Sequence, residues 1–186
     1  MKRFAVTLFL IAVAAFARPA SAGGLFTLTS PAFKDGDLVA ATYAFKGPGL
    51  DGTECGGQDL SPPLQWVNAP AATQSFALII FDVDGLGGAG VTHWVAYNLP
   101  ATKLSVAQGE GMAGATTLTN GKNRRGTSEF RGFCPSQGDA PHHYVMTVYA
   151  LDLPPTLAPG LTRDDVLAAI KGHVLRLASI VGRYGR

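Results

Sequence analysis

The run SFALIIFDVDG, residues 75–85, constrains this chain more than any other stretch of it. Phe76, Leu78 and Ile80 alternate with Ala77, Ile79 and Phe81, so a strand here is apolar on both faces and belongs in the middle of a sheet that is covered on each side. The strand then runs into carboxylates. Asp82 and Asp84 sit two apart, on one side if the strand continues. Carboxylates at the end of a buried strand are costly unless they are paired or hydrogen-bonded, and this strand end is therefore the first place to look for chemistry.

Four further runs, LFTLTS, DLVAATYAF, THWVAYNLP and HYVMTVYALD, read as short strands, and KGPGLDG, SPP, GLGGAG, NGKNRRG and PSQGDAP read as the turns between elements. Regular short strands punctuated by Gly and Pro predict a mainly β fold, an antiparallel sandwich or barrel. One helix is expected, in LTRDDVLAAIKGHVLRLA. Thr162 and Asp165 form a capping-box-like start, and Val166, Ile170, Val174 and Leu177 share a face at helical spacing that packs on the sheet. Gly172 costs such a helix about 1 kcal/mol relative to Ala.

At 186 residues the chain suits one domain after its amino end is set aside. Lys2 and Arg3 precede a mostly apolar run from Phe4 to Phe16, and Arg18, Pro19 and Ala20-Ser21-Ala22 follow it. This is the pattern of a secretory signal peptide over residues 1–22, too short in its apolar part for a comfortable membrane span, with the domain occupying 23–186. The expected mature protein is exported, periplasmic or secreted, with no transmembrane segment. Three of the 15 lysines and arginines leave with that leader, so 12 remain against 13 aspartates and glutamates. A balance so close to neutral gives no support for nucleic-acid binding, and any anion site must be local. The two cysteines, Cys55 and Cys134, both lie in the exported part, where they form either a disulfide between two Gly-rich loops or a pair of free thiols.

Polar chemistry concentrates in four patches: DVD with Asp82 and Asp84, THW with His93, RGFCPSQG, and PHHY with His142, His143 and Tyr144. Three of the four histidines thus lie beside strand ends. Alternation puts His142 and Tyr144 on one strand face and turns His143 to the other, toward solvent or a side-chain pair.

DLSPPLQWVNAPAATQSFALIIFDVDG, THWVAYNLP, CPSQGDAPHHYVMTVYALD and the closing AIKGHVLRLASIVGRYGR occur in the order seen in a known family. The chain resembles the phosphatidylethanolamine-binding proteins, in their bacterial Raf-kinase-inhibitor-like branch (YbhB/YbcL). The resemblance implies a central antiparallel sheet flanked by a further sheet and short helices, one of them near the C-terminus, around a small pocket for phosphate-like anions. It places that pocket at Asp82, Asp84, His93, Gly132, Cys134, Pro135, His142 and Tyr144. Val83, Phe133 and Ser136 stand where the family usually has proline, and His143 stands at an arginine. These departures bear on loop rigidity and ligand size.

A phosphate ester offers mainly acceptor oxygens, so donors are expected from His93, His142, the Tyr144 hydroxyl and backbone N–H groups from Cys134 to Gly138. Asp82 then accepts the other N–H of a histidine, and Asp84 anchors the loop or the pocket rim. The partner this implies is a small phosphate-like anion or a phospholipid head group, with no catalytic residues and no cofactor. A metal-dependent hydrolase is the weaker alternative, because no H-x-x-H, H-E-x-x-H or nucleophile-elbow spacing is present. An exported protease inhibitor or signalling module is a third class, with loops KGPGLDGTECGGQ and GMAGATTLTNGKNRRGTSEF as its contact surface. Lys122, Arg124 and Arg125 in the second loop read first as solvated charge.

Overall fold

A computed structural model describes residues 24–114 and 117–186, so the expected leader lies outside the described residues. In chain order the strands are β1 (Thr27–Thr29), β2 (Leu64–Val67), β3 (Ser75–Asp82), β4 (Val91–Pro100), β5 (Ser105–Val106), β6 (Thr119–Asn120), β7 (His142–Leu151) and β8 (Val174–Tyr184). One helix, α1 (Arg163–Ala169), precedes β8. The strands form two antiparallel sheets, β1-β2-β5 and β6-β4-β3-β7-β8. The two-faced apolar run is β3, and it occupies the centre of the larger sheet.

Alternation along β3 builds two cores at once. Phe76, Leu78 and Ile80 join Leu28, Leu64 and Trp66 of the smaller sheet and Trp94, Met146 and Val148 of β4 and β7. Ala77 and Ile79 face the other way, into a cluster with Val95, Tyr97, Leu151 and the α1 residue Val166. Burying side chains of this size stabilises the fold by roughly 1.5–3 kcal/mol each, which is why the central strand tolerates polar atoms only where it ends.

Two local expectations change. The helix starts as read: the Thr162 side chain accepts the Asp165 N–H at 3.2 Å, and the Asp165 carboxylate accepts the Thr162 N–H at 3.0 Å. It then stops at Ile170, because Gly172 adopts φ +86 and turns the chain out of the helix. Val174 and Leu177 belong to β8 and are exposed, while Ala178, Ile180, Gly182 and Tyr184 are buried at strand spacing. Tertiary pairing with β7 over ten positions overrides the helical period. DLVAATYAF likewise forms no strand. It contains a short 3-10 turn at Ala41–Tyr43 and single bridges from Leu38 to Arg183 and from Ala44 to Phe133.

Cys55 and Cys134 form a disulfide with a Cα–Cα separation of 5.5 Å across a sequence separation of 79. It joins the 46–57 loop to the loop that follows Gly132. Gly132 allows the second loop to lie against Ala44, since a Cβ at Gly132 would come within 2.3 Å of the Ala44 carbonyl carbon. Closing a loop of this length restricts the unfolded chain by about 4–5 kcal/mol in the chain-entropy picture. Oxidised protein should therefore titrate no thiol until reductant is added, and the Cys55→Ser/Cys134→Ser variant should lose about that much stability in urea. A double variant as stable as the parent would contradict a structural role for the bridge.

Candidate functional site

Asp82 ends β3 with only 4% of its surface exposed, and it resolves the cost of that burial with three hydrogen bonds. Its Oδ1 accepts the backbone N–H groups of Asp84 (2.9 Å) and Gly85 (3.0 Å), which closes the turn after the strand. Its Oδ2 accepts Nδ1–H of His142 at 2.8 Å. Register explains the meeting: Asp82 pairs with Tyr144, so His142, two residues earlier on β7, lies diagonally opposite on the same face. His143 points the other way. Its backbone N–H and its Nδ1–H both bind Asp84 Oδ2, at 2.6 and 2.9 Å, and about half of its side chain is exposed. That backbone N–H, helped by the imidazole, holds the Asp84 carboxyl below the usual carboxylate range.

His93 reaches the same place from β4 through an irregularity. Ile80 pairs with Trp94 and Phe81 with Thr92, leaving His93 as the extra residue of a bulge. Arg131 holds both ends of it: the His93 carbonyl accepts the Arg131 N–H at 2.9 Å, and His93 Nδ1–H donates to the Arg131 carbonyl at 2.7 Å. The ring is buried, and burial pushes its pKa down despite the Arg131 hydrogen bond and the Asp82 charge. Neutral His93 thus has its one N–H committed to Arg131, leaving Nε2 with a lone pair.

Asp82, Asp84, His93, Gly132, Cys134, Pro135 and His142 all line one cavity of about 550 Å3. Tyr144 stands behind this lining. It is fully buried, stacks on Phe133 at 3.8 Å between ring centroids, and packs edge-on to His93 at 5.2 Å. Its hydroxyl has no hydrogen-bond partner among the described residues, and burial pushes its pKa far above the ordinary value. The loop's backbone donors are partly spent as well. Gln137 N–H donates to Asp51 at 3.1 Å and Gly138 N–H to the Arg186 carbonyl at 3.3 Å, while the N–H groups of Cys134 and Ser136 have no acceptor among the described residues.

Several cavity residues escaped the sequence reading. Arg186 closes one side. Its guanidinium pairs with Asp51 at 2.6 Å and donates to the Pro135 and Glu54 carbonyls, and this holds the Asp51 carboxyl well below its usual range. Nothing in GRYGR announces that destination, because the contact depends on β8 returning beside β7. Arg124, Arg125, Arg131 and Asp139 also line the cavity, and His142 Nε2 lies 3.7 Å from Asp139 Oδ2. No grouping of three or more His, Cys, Asp or Glu able to hold a metal occurs among the described residues, and no helix among them is long and apolar enough to cross a membrane.

Comparison with known proteins shows the family to which this fold belongs. The model of the family described as phosphatidylethanolamine-binding protein matches residues 29–185. A relative from Methanothermobacter thermautotrophicus, a UPF0098 protein, is 35% identical over 161 residues, covering 86% of this chain and 98% of its own. A Mycobacterium tuberculosis relative named as a lipoprotein, LppC, is 32% identical over 166 residues, covering 89% of this chain and 75% of its own. The crystal structure of Escherichia coli YbcL, described as a new member of the mammalian PEBP family, superposes with a TM-score of 0.77 at 31% identity, over 87% of this chain and 98% of that one. With the family model matching residues 29–185, the chain belongs to the phosphatidylethanolamine-binding protein family.

Proposed function

We propose that this chain is an exported binding protein whose cavity takes a phosphate-like group, free or as the head group of a phospholipid, at His93 and His142. The observation that carries the proposal is the pair of imidazoles lining one cavity, each with its Nδ1–H fixed, one on the Asp82 carboxylate and one on the Arg131 carbonyl. Fixing Nδ1 leaves Nε2 of each ring as the atom available for a ligand. A protonated His142 offers Nε2–H to an oxyanion while Asp82 balances its charge. Neutral His93 accepts the hydroxyl proton of a monoprotonated phosphate, or takes a proton from solvent once an anion lies beside it. The N–H groups of Cys134 and Ser136 add neutral donors on the loop side. Asp84 anchors the rim through His143, and Gly132 and Pro135 shape the wall.

Export is part of the same reading. Its supports are the leader pattern of residues 1–22, the bridge between the chain's two cysteines, and a relative named as a lipoprotein.

Isothermal calorimetry of phosphate and of phosphoethanolamine tests the pocket. His142→Ala should weaken both by about tenfold or more, the value of one charge-assisted hydrogen bond. Tyr144→Phe should bind within about twofold of the parent, because the hydroxyl lies behind the lining, and should not be less stable, because a buried unpartnered hydroxyl costs about 1–3 kcal/mol. Equal binding by His142→Ala and the parent would contradict the assignment.

His93 gives a pH test. Its folded pKa is depressed, so below the unfolded value of about 6.5 the unfolded chain binds more protons at this site, and stability falls as pH falls. Urea midpoints measured from neutral pH down to about 5 should decline less steeply in His93→Asn than in the parent, and added phosphate should flatten the parent's decline. Parallel declines in both proteins would contradict a depressed His93 pKa in the folded chain.

A further inference from the structure

The cavity, which also holds Asp82, Asp84 and Asp139, is rich in arginine. Arg124, Arg125 and Arg131 line it, and none of the three forms an ion pair with a carboxylate among the described residues, whereas Arg186 is committed to Asp51. The loop that presents the first two is tightly built. Asn123, only 5% exposed, accepts the Arg125 N–H at 2.9 Å and donates to Thr127 Oγ1 at 2.7 Å and to the Glu129 carbonyl at 3.0 Å. The Arg124 N–H donates to the Thr92 carbonyl at 2.9 Å, which ties the loop to the strand carrying His93. A buried amide satisfied on both sides fixes the backbone from which two exposed guanidiniums project.

Arg131 is held differently, with its guanidinium carbon 3.6 Å from the centroid of the Phe45 ring, another cavity residue. Burial and then the neighbouring Arg125 charge disfavour its charged form, against the opposing pull of the Asp59 and Glu129 carboxylates. Like charges gathered on one wall raise the energy of the unliganded cavity, and an anion between them relieves it. The cavity, about 550 Å3, is also far larger than one tetrahedral oxyanion fills and lies in the range of whole small-molecule ligands. Planar guanidiniums suit bidentate contacts to phosphate or carboxylate.

We propose that the ligand is a small molecule with two anionic groups, one seated at His93 and His142 and the second held by Arg124, Arg125 and Arg131. This rests on the phosphate-pocket reading above and specifies the class of ligand. The arginine wall selects a bis-anionic molecule over a monoester of the same size.

The test is calorimetry with methyl phosphate and with straight-chain alkane bisphosphates of increasing linker length. In the parent, at least one bisphosphate should bind about tenfold or more tightly than methyl phosphate. In Arg124→Gln/Arg125→Gln that affinity ratio should fall to about two, the statistical advantage of two equivalent ends. Lys122→Gln removes a nearby charge that does not line this cavity, and it should keep the full ratio. If the double variant melts early, Arg125→Lys makes the same comparison by keeping the charge and removing the planar fork. A parent that binds methyl phosphate but gains nothing from any bisphosphate overturns the inference and leaves the pocket reading standing. Loss of the ratio in Lys122→Gln equal to that in the double variant also overturns it, since general charge then explains the gain. A parent that binds neither ligand overturns both.

Discussion

The Asp82–His142 hydrogen bond is the interaction on which the rest of the site depends. A carboxylate 4% exposed at the end of a strand buried on both faces is untenable alone, and three donors make it tenable: two backbone N–H groups of the following turn and one imidazole. Those same three bonds set the turn that places Asp84 and fix the tautomer of His142. They also lock the end of β3 to the start of β7, so the structural solution and the cavity-facing geometry are one arrangement. Removing the carboxylate would free the imidazole as well as the turn.

The opposite wall is assembled from parts distant in sequence. The disulfide brings the 46–57 loop against the loop after Gly132, and Arg186 bridges the same two loops through Asp51, Glu54 and Pro135. The last residue of the chain thus holds the loop that carries Cys134 and Ser136. Reduction of the bridge and loss of Arg186 act on the same element, and each leaves the other in place. The cavity accordingly has a rigid face, formed by strand ends, and a face formed by tethered loops.

How far the sequence discloses this follows from the range of each interaction. The two-faced β3, its central place and the split between His142 and His143 are legible, because alternation is local and a buried strand has no polar side. The α1 capping box is legible for the same reason. The extension of that helix into Val174 and Leu177 is a misreading, since helical and strand periods coexist in the segment and only pairing with β7 decides between them. Tyr144 shows the limit of alternation: the correct face does not say whether a side chain lines the cavity or supports its lining. The His93 bulge and the destination of Arg186 depend on contacts between strands far apart in the chain; Arg124 and Arg125 are exposed, as solvated loop charge is, and their place in the cavity lining depends on the loop bonding back to Thr92.

In the binding reaction we propose, two imidazoles with fixed Nδ1–H groups turn Nε2 toward a phosphate-like ligand. Nitrogen-15 NMR of the histidine rings at neutral pH, without and with phosphate, measures this directly. Protonated Nδ1 is expected in both His93 and His142 before phosphate is added, with movement of both Nε2 resonances as it binds. An unprotonated Nδ1 in His142, or Nε2 resonances that stay in place at saturating phosphate, would contradict the proposal.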